Sequence, residues 1–95
     1  MDGETIDTAA DILAGLYARG FGGKPSGRYR IPAKLLRGIT GRRRLYAEDI
    51  QALSRALFER GFVLIDMDNF YVVMSVNSFV NYRRANSDSI PAKSG

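Results

Sequence analysis

The apolar positions near the start of the chain recur at the three- and four-residue spacing of an amphipathic helix. The core-facing positions of this pattern are Ile6, Ala9, Ala10, Leu13, Leu16 and Tyr17. Thr5 is the predicted N-cap, because its hydroxyl can accept a hydrogen bond from a free backbone N–H group. Gly20 is the predicted stop, with Phe21 folding back onto Leu16. We therefore expect a packing helix, followed by a flexible glycine-rich loop over residues 22–27.

Two further helical patterns occupy the middle of the chain. The first begins at Pro32, whose missing N–H costs nothing at a helix start, and the alternating residues 28–31 before it are expected to form a short strand. A turn at Thr40–Gly41 separates this helix from a longer one over residues 45–60. The inner faces of these helices are predicted at Leu35, Leu36, Ile39, Ile50, Leu53 and Leu57.

After Gly61 the pattern changes to that of two strands. Phe62–Met67 and Phe70–Val76 are rich in β-branched and aromatic residues, and the two residues Asp68–Asn69 between them suit a tight hairpin turn. Pairing across this turn places Val63, Ile65, Met67, Phe70, Val72 and Met74 on one face. The other face holds Phe62, Leu64, Asp66, Tyr71, Val73 and Ser75. Because this second face is apolar, we expect a short helix at Ser78–Arg84, or a second copy of the chain, to cover it.

The length and composition predict one small domain. Ninety-five residues suffice for a single core, which we place in residues 1–85, with a disordered C-terminal tail over residues 86–95. The absence of cysteine excludes disulfides and thiolate metal sites and makes the cytoplasm the default location. No basic segment followed by a long apolar run occurs, so neither secretion nor membrane spanning is expected.

Enzyme chemistry finds little support in the residue types present. Histidine is absent as well as cysteine, so the commonest general base and the usual zinc ligands are missing. Asp66 and Asp68 share a strand face at the hairpin end, and we interpret them as turn residues rather than as an acid–base or metal-binding pair. We expect no catalysis, no metal and no other cofactor.

The net charge of +4 is distributed unevenly along the chain. Residues 1–18 contain four acidic and no basic residues, whereas residues 19–60 contain eleven basic and three acidic residues. Such a concentration of positive charge is typical of a domain with a polyanionic partner. The alternative is that surface arginines only keep a small domain soluble.

The segment from Ile31 to Leu64 resembles the winged helix-turn-helix superfamily. In both, a helix ending in a Thr-Gly turn precedes a longer helix, and a passage of leucine, glycine, an aromatic and a β-branched residue, here Leu57–Val63, enters a hairpin. The resemblance implies an α+β fold with three helices, a two-stranded β-hairpin wing and a short C-terminal helix. It also implies a small DNA-binding transcriptional regulator whose recognition helix lies around residues 45–60. Some members of this superfamily bind RNA or proteins instead.

The resemblance also implies which residues meet double-stranded DNA. The predicted phosphate contacts are Arg28, Arg30, Lys34, Arg37, Arg42, Arg43 and Arg44. Gln51 and Arg55 lie four residues apart on the exposed helix face and are predicted to read base edges, glutamine at adenine and arginine at guanine. The hairpin tip over residues 66–70 carries two aspartates, so we do not expect it to touch phosphate.

The sequence alone also permits partners other than double-stranded DNA. The arginines and the apolar hairpin face suit a protein-interaction module that docks an acidic partner. Tyr29 and Tyr46, which lie beside arginines, suit stacking on unpaired RNA bases. A homodimer through the hairpin or the C-terminal helix is a further expectation.

Overall fold

Residues 1–91 are described by a computed structural model, in which three α-helices and one three-stranded antiparallel sheet form an α+β fold. The helices are α1 (Gly3–Ala18), α2 (Ala33–Thr40) and α3 (Ala47–Glu59), and the strands are β1 (Tyr29–Pro32), β2 (Phe62–Asp66) and β3 (Phe70–Ser75). The strand order across the sheet is β1-β3-β2. Within residues 1–91, no helix is both long enough and apolar enough to cross a membrane.

The core lies between the helices and one face of the sheet. Its fully buried large side chains are Leu13, Leu36, Leu53, Leu57 and Val73, which come from all three helices and the central strand. Tyr29 closes the core beneath α1, and its hydroxyl donates a hydrogen bond to the Leu13 carbonyl at 2.5 Å. Burial raises the pKa of Tyr29, so this hydroxyl keeps its proton and remains a donor.

Both ends of α1 differ from the sequence expectation. Asp2, rather than Thr5, is the N-cap, and its carboxylate accepts the Thr5 N–H at 2.8 Å. The C-cap is Arg19 in extended backbone, so the predicted left-handed stop at Gly20 is wrong. Phe21 packs edge-on against the Tyr29 ring, with 5.5 Å between ring centroids. At the C-terminal end, Phe21 is thus in contact with β1, a tertiary neighbour that the local pattern does not reveal.

The turn between α2 and α3 begins at Gly41, as its left-handed backbone at φ 70° shows. The Arg42 N–H then donates to the Arg37 carbonyl at 3.0 Å, which satisfies the end of α2. Tyr46 is the N-cap of α3, and its backbone N–H donates to Asp49 Oδ2 at 3.0 Å. The helix thus starts close to the predicted position.

The predicted hairpin register is confirmed. Val63 pairs with Met74 and Ile65 pairs with Val72, as the two-residue turn requires, and Asp68 adopts the positive φ of 74°. The short strand predicted before Pro32 is present as β1, and it pairs with β3, so the hairpin is part of a three-stranded sheet that the sequence did not predict. The extended backbone before Pro32 suits a short edge strand, since a proline there removes no needed donor.

The apolar hairpin face that includes Leu64, Tyr71 and Val73, which the sequence predicted would need a further helix or a second copy to cover it, faces the core. Leu64, Tyr71 and Val73 pack with the helices of the same chain, so neither a C-terminal helix nor a second copy is required there. The expected helix at Ser78–Arg84 is wrong, because a 3₁₀ turn at Val76–Phe79 occupies its start and irregular chain follows. The aromatic, β-branched and asparagine residues over 79–82 are only moderate helix formers, so local propensity does not enforce a helix here.

The predicted tail has one feature within the described residues. A 3₁₀ turn at Ser87–Ser89 is capped by Asn86, whose side chain accepts the Asp88 and Ser89 N–H groups. Residues 92–95 of that predicted tail lie outside the described residues.

Candidate nucleic-acid interface

The residues predicted to contact DNA lie in three separate places. The α2–α3 region holds Lys34, Arg37, Arg42, Arg43 and Arg44, the exposed face of α3 holds Gln51 and Arg55, and the β1 end of the sheet holds Arg28 and Arg30. All are exposed except Arg37 and Arg42, which are partly buried. The fold therefore divides one continuous basic stretch of sequence into distinct surfaces.

Three of the arginines line one cleft, which we call the turn cleft. Arg37 approaches it from α2, and Arg43 and Arg44 approach it from the α2–α3 turn, while Ala47 and Ile50 belong to the first turns of α3. The cleft has a volume of about 430 Å³. It therefore combines positive charge with the N-terminal end of α3, where the helix dipole also favours an anion.

The opposite wall of the turn cleft is acidic. Asp66 and Asp68 line it from the β2–β3 turn, together with Tyr71 of β3. Asp66 Oδ1 also accepts the Asp68 N–H at 2.8 Å, which holds the tight turn. Burial raises the pKa of Tyr71, Asp66 raises it further, and Arg37 opposes this rise. The hairpin tip thus places negative charge in the same cleft as the arginines.

Arg42 differs from its two neighbours because a buried carboxylate holds it. Arg42 Nη2 lies 3.8 Å from Asp49 Oδ2, and Asp49 is only 5% exposed. The Tyr46 N–H lowers the pKa of Asp49, and the N-terminal ammonium and Arg42 lower it further. The predicted phosphate contact at Arg42 therefore has a structural partner. A carboxylate three residues after the N-cap was the available signal, but tyrosine at the cap concealed it.

Part of the basic charge at the end of α3 is neutralised within the fold. Arg60 Nε donates to Asp11 Oδ1 at 2.8 Å, and its Nη2 lies 3.5 Å from Asp7 Oδ1. These pairs join the end of α3 to α1, and the carboxylates raise the pKa of Arg60. The acidic first helix and the basic middle segment therefore contact each other through ion pairs.

The exposed face of α3 is mixed in character. Gln51 and Arg55 border a shallow groove of about 480 Å³ between α3 and β2, and Phe58 lies in the same groove. Phe58 is 63% exposed, and it lies three residues beyond Arg55 on the same exposed face of the helix. Strand residues Phe62–Leu64 form the other wall. This groove was not predicted, because apolar periodicity identifies core positions and not exposed exceptions.

The remaining two arginines belong to a different cleft, which we call the loop cleft. Arg28 and Arg30 line it with Arg19 and Lys24, and its volume is about 560 Å³. Within residues 1–91 the two clefts share no lining residue, and Tyr29 of the loop cleft pairs with Val73, three residues along β3 from Phe70 beside the β2–β3 turn. Arg30 extends toward that turn, since its guanidinium lies 5.9 Å from the centre of the Phe70 ring. Arg19 and Lys24 were missed as site residues, since they are distant from the helix-turn-helix in the sequence.

Comparisons of the chain with protein-family models, with curated proteins and with solved structures gave no match. The assignment of these surfaces therefore depends on their shape and chemistry.

Proposed function

We propose that this chain is a winged helix-turn-helix domain that binds double-stranded DNA, with α2, the turn and α3 as the helix-turn-helix. Two features of the fold support the proposal. The elements follow one another as helix, strand, helix, helix, strand and strand, and the central strand of the sheet is the last in sequence. The single observation that carries the proposal is the turn cleft, in which arginines from α2 and the turn converge beside the start of α3.

In this proposal the turn cleft supplies affinity. Arg43 and Arg44 are exposed and donate to phosphates flanking the major groove, and Arg37 adds a third cation from α2. Lys34, exposed on α2, contacts the adjacent sugar–phosphate backbone. Phosphate contacts of this kind set the position of the protein but carry no sequence information.

Sequence choice then belongs to the exposed face of α3. Gln51 and Arg55 lie about one helical turn apart, so both side chains can enter the same stretch of major groove. A glutamine amide pairs with the N6 and N7 edge of adenine, and a guanidinium pairs with the O6 and N7 edge of guanine. Each such pair discriminates against the wrong base.

The test compares duplex binding by the wild type and by R43A/R44A. These two side chains are exposed, so their loss leaves the fold intact, whereas R42A would also remove a partner of buried Asp49. The matched control is R83A/R84A, which removes the same charge from a segment beyond the end of β3 that lies away from the hairpin turn. Fluorescence anisotropy with a random-sequence duplex, measured over a series of salt concentrations, gives both affinity and salt slope.

We expect steeply salt-dependent binding by the wild type and by the control. In R43A/R44A, the slope of log K against log[salt] should flatten by about 1.8, because each lost phosphate contact removes about 0.9. Absence of wild-type binding at low salt would overturn the proposal. An equal loss in the two variants would show that net charge, and not the turn cleft, carries the affinity.

A second candidate function is docking of an acidic protein partner, favoured by exposed Phe58. An aromatic side chain that is 63% exposed beside Arg55 offers an apolar anchor next to a cation. Selection of displayed peptides against the wild type, with counter-selection against F58S, tests this candidate. Enriched sequences that combine acidic and apolar residues would support it, and enrichment that is indifferent to F58S would reject it.

A further inference from the structure

We propose that the loop cleft is a second nucleic-acid site, specific for single strands, which holds phosphates on its cations and stacks an unpaired base on Phe21. It does not depend on duplex binding by the turn cleft. The site includes two residues, Arg19 and Lys24, that the helix-turn-helix resemblance does not involve.

The charge of the loop cleft is unopposed. Arg19 at the end of α1, Lys24 in the loop, and Arg28 and Arg30 at β1 all line it, and its lining within residues 1–91 contains no aspartate or glutamate. The turn cleft, in contrast, is lined by two aspartates as well as three arginines. Four like charges in one concavity repel one another, so an anion that enters relieves this repulsion and gains attraction from each cation.

Backbone hydrogen bonds shape the loop that carries Lys24, for which the sequence predicted no regular structure. Phe21 and Lys24 exchange two backbone hydrogen bonds, at 3.0 and 3.1 Å, and thereby close a two-residue turn. Gly22 and Gly23 both have positive φ, 59° and 81°, as a type I′ hairpin turn requires. The Gly27 N–H donates to the Tyr17 carbonyl at 2.9 Å and ties the loop to α1.

The loop also fits closely against the end of α1. A Cβ atom at Gly20 would lie 3.3 Å from the Lys24 carbonyl oxygen, which is tighter than an ordinary contact. Glycine at this position therefore permits the approach of the loop. The backbone that carries the cations is held in place before any ligand arrives, and this lowers the entropy cost of binding.

Phe21 supplies an aromatic platform within this charged cleft. Its ring packs edge-on against Tyr29, at 5.5 Å between centroids and an interplanar angle of 76°, and it remains 46% exposed. Tyr29 is itself buried and hydrogen-bonded to α1, so it is a firm support. Exposed aromatics beside cations stack on bases of any sequence.

This combination favours a single strand over the other polyanions. In a duplex the bases are already paired and stacked on one another, and Phe21 has no open base face to contact. An acidic peptide can satisfy the cations but offers no planar ring for Phe21. Because no residue in the described part of the chain lines both the loop cleft and the turn cleft, occupation of one site does not use the residues of the other.

The experiment measures anisotropy of a labelled oligo(dT) at several salt concentrations with the full chain. The variants are K24A/R28A, which removes two cations, and F21L, which removes the aromatic ring and keeps an apolar side chain. R43A/R44A is the matched control, since it removes the same charge from the turn cleft, whose lining residues within 1–91 all differ from those of the loop cleft. The melting temperature of each variant confirms that it folds.

We expect K24A/R28A to bind oligo(dT) at least about tenfold more weakly, with a slope of log K against log[salt] flatter by about 1.4, because each single-strand contact contributes about 0.7. F21L should weaken binding about tenfold with the slope unchanged, because stacking is not electrostatic. R43A/R44A should retain wild-type affinity for oligo(dT), and K24A/R28A should retain its affinity for the duplex.

Three results would overturn the proposal. They are no binding of oligo(dT) by the wild type at low salt, equal weakening by K24A/R28A and by R43A/R44A, and wild-type affinity in folded F21L. A polyglutamate peptide that competes at the same affinity, with no effect of F21L, would assign the cleft to an acidic protein partner instead. Failure of duplex binding would leave the oligo(dT) result unaffected, so the two proposals fail separately.

Discussion

In the proposed duplex complex, the acidic tip of the hairpin repels phosphate at the turn cleft, and removal of its charge should therefore strengthen binding. The perturbation is D66N/D68N. An asparagine at position 66 would retain a side-chain oxygen that can accept the Asp68 N–H bond of the wild type. Position 68 has φ 74°, and asparagine tolerates this left-handed region at least as well as aspartate. The variant thus changes charge without disturbing the turn.

The expected magnitude follows from the size of the turn cleft. A sphere with the cleft's volume of about 430 Å³ has a radius of roughly 5 Å, which approximates the distance from a bound phosphate to a lining carboxylate. At that distance in water, one unit charge weakens binding about fourfold before screening. Screening reduces the combined gain from both substitutions to about tenfold at 10 mM salt and about fourfold at 0.15 M.

The assay is duplex anisotropy at those two salt concentrations. The matched control is D7N/D88N, which removes the same charge elsewhere. Asp7 pairs with Arg60, whose guanidinium also bonds the Ala56 carbonyl. Ala56 lies about 14 Å along α3 from Ala47 of the turn cleft, well beyond the Debye length at 0.15 M. An affinity of D66N/D68N equal to or below that of the control would refute the reasoning.

Three further predictions concern the fold that positions these sites. Leu53→Ala removes a fully buried side chain of α3 and should lower the free energy of unfolding by about 2–5 kcal/mol in urea titration; a loss below about 1 kcal/mol would contradict its core position. Tyr29→Phe removes the hydroxyl that donates to Leu13, so Tm should fall by about 4–8 °C, corresponding to about 1 kcal/mol, and an unchanged Tm would show that this bond adds no stability. The Tyr46 N–H lowers the pKa of Asp49, so the charge stabilises the fold above the unfolded-state pKa near 4 and ceases to do so as pH falls through the lower, folded-state pKa. The Tm difference between wild type and Asp49→Asn should therefore shrink on acidification below about pH 4, and a constant difference from about pH 6 to about pH 3 would contradict this assignment.

Features that depend on neighbours in sequence were predictable. The three helices follow from apolar spacing, and the buried positions of Leu13, Leu53 and Leu57 agree with it. The hairpin register follows from the two-residue turn at Asp68–Asn69, because a turn of fixed length leaves only one pairing. The C-terminal segment misled the same reasoning, since a few apolar residues at helical spacing do not make a helix without a surface to pack on.

The sheet shows the limit of pattern reading. Both faces of the hairpin are apolar, so alternation alone did not identify the face that meets the helices. Only the packing of Leu64, Tyr71 and Val73 against the helices decided it. The pairing of β1 with β3 joins segments about forty residues apart, and no local signal specifies such a partner.

For the candidate sites, too, some properties follow from the sequence and others only from the tertiary structure. Residue content alone determined that the chain is rich in arginine and lacks histidine and cysteine. Tertiary structure decided which charges act together. It placed Arg43 opposite Asp66 in the turn cleft, gave Arg42 a buried carboxylate partner, and moved Arg28 to the loop cleft with Lys24. Periodicity, caps and tight turns are determined by interactions within a few residues, whereas a cleft forms only when distant segments pack, and charge acts through space and not along the chain.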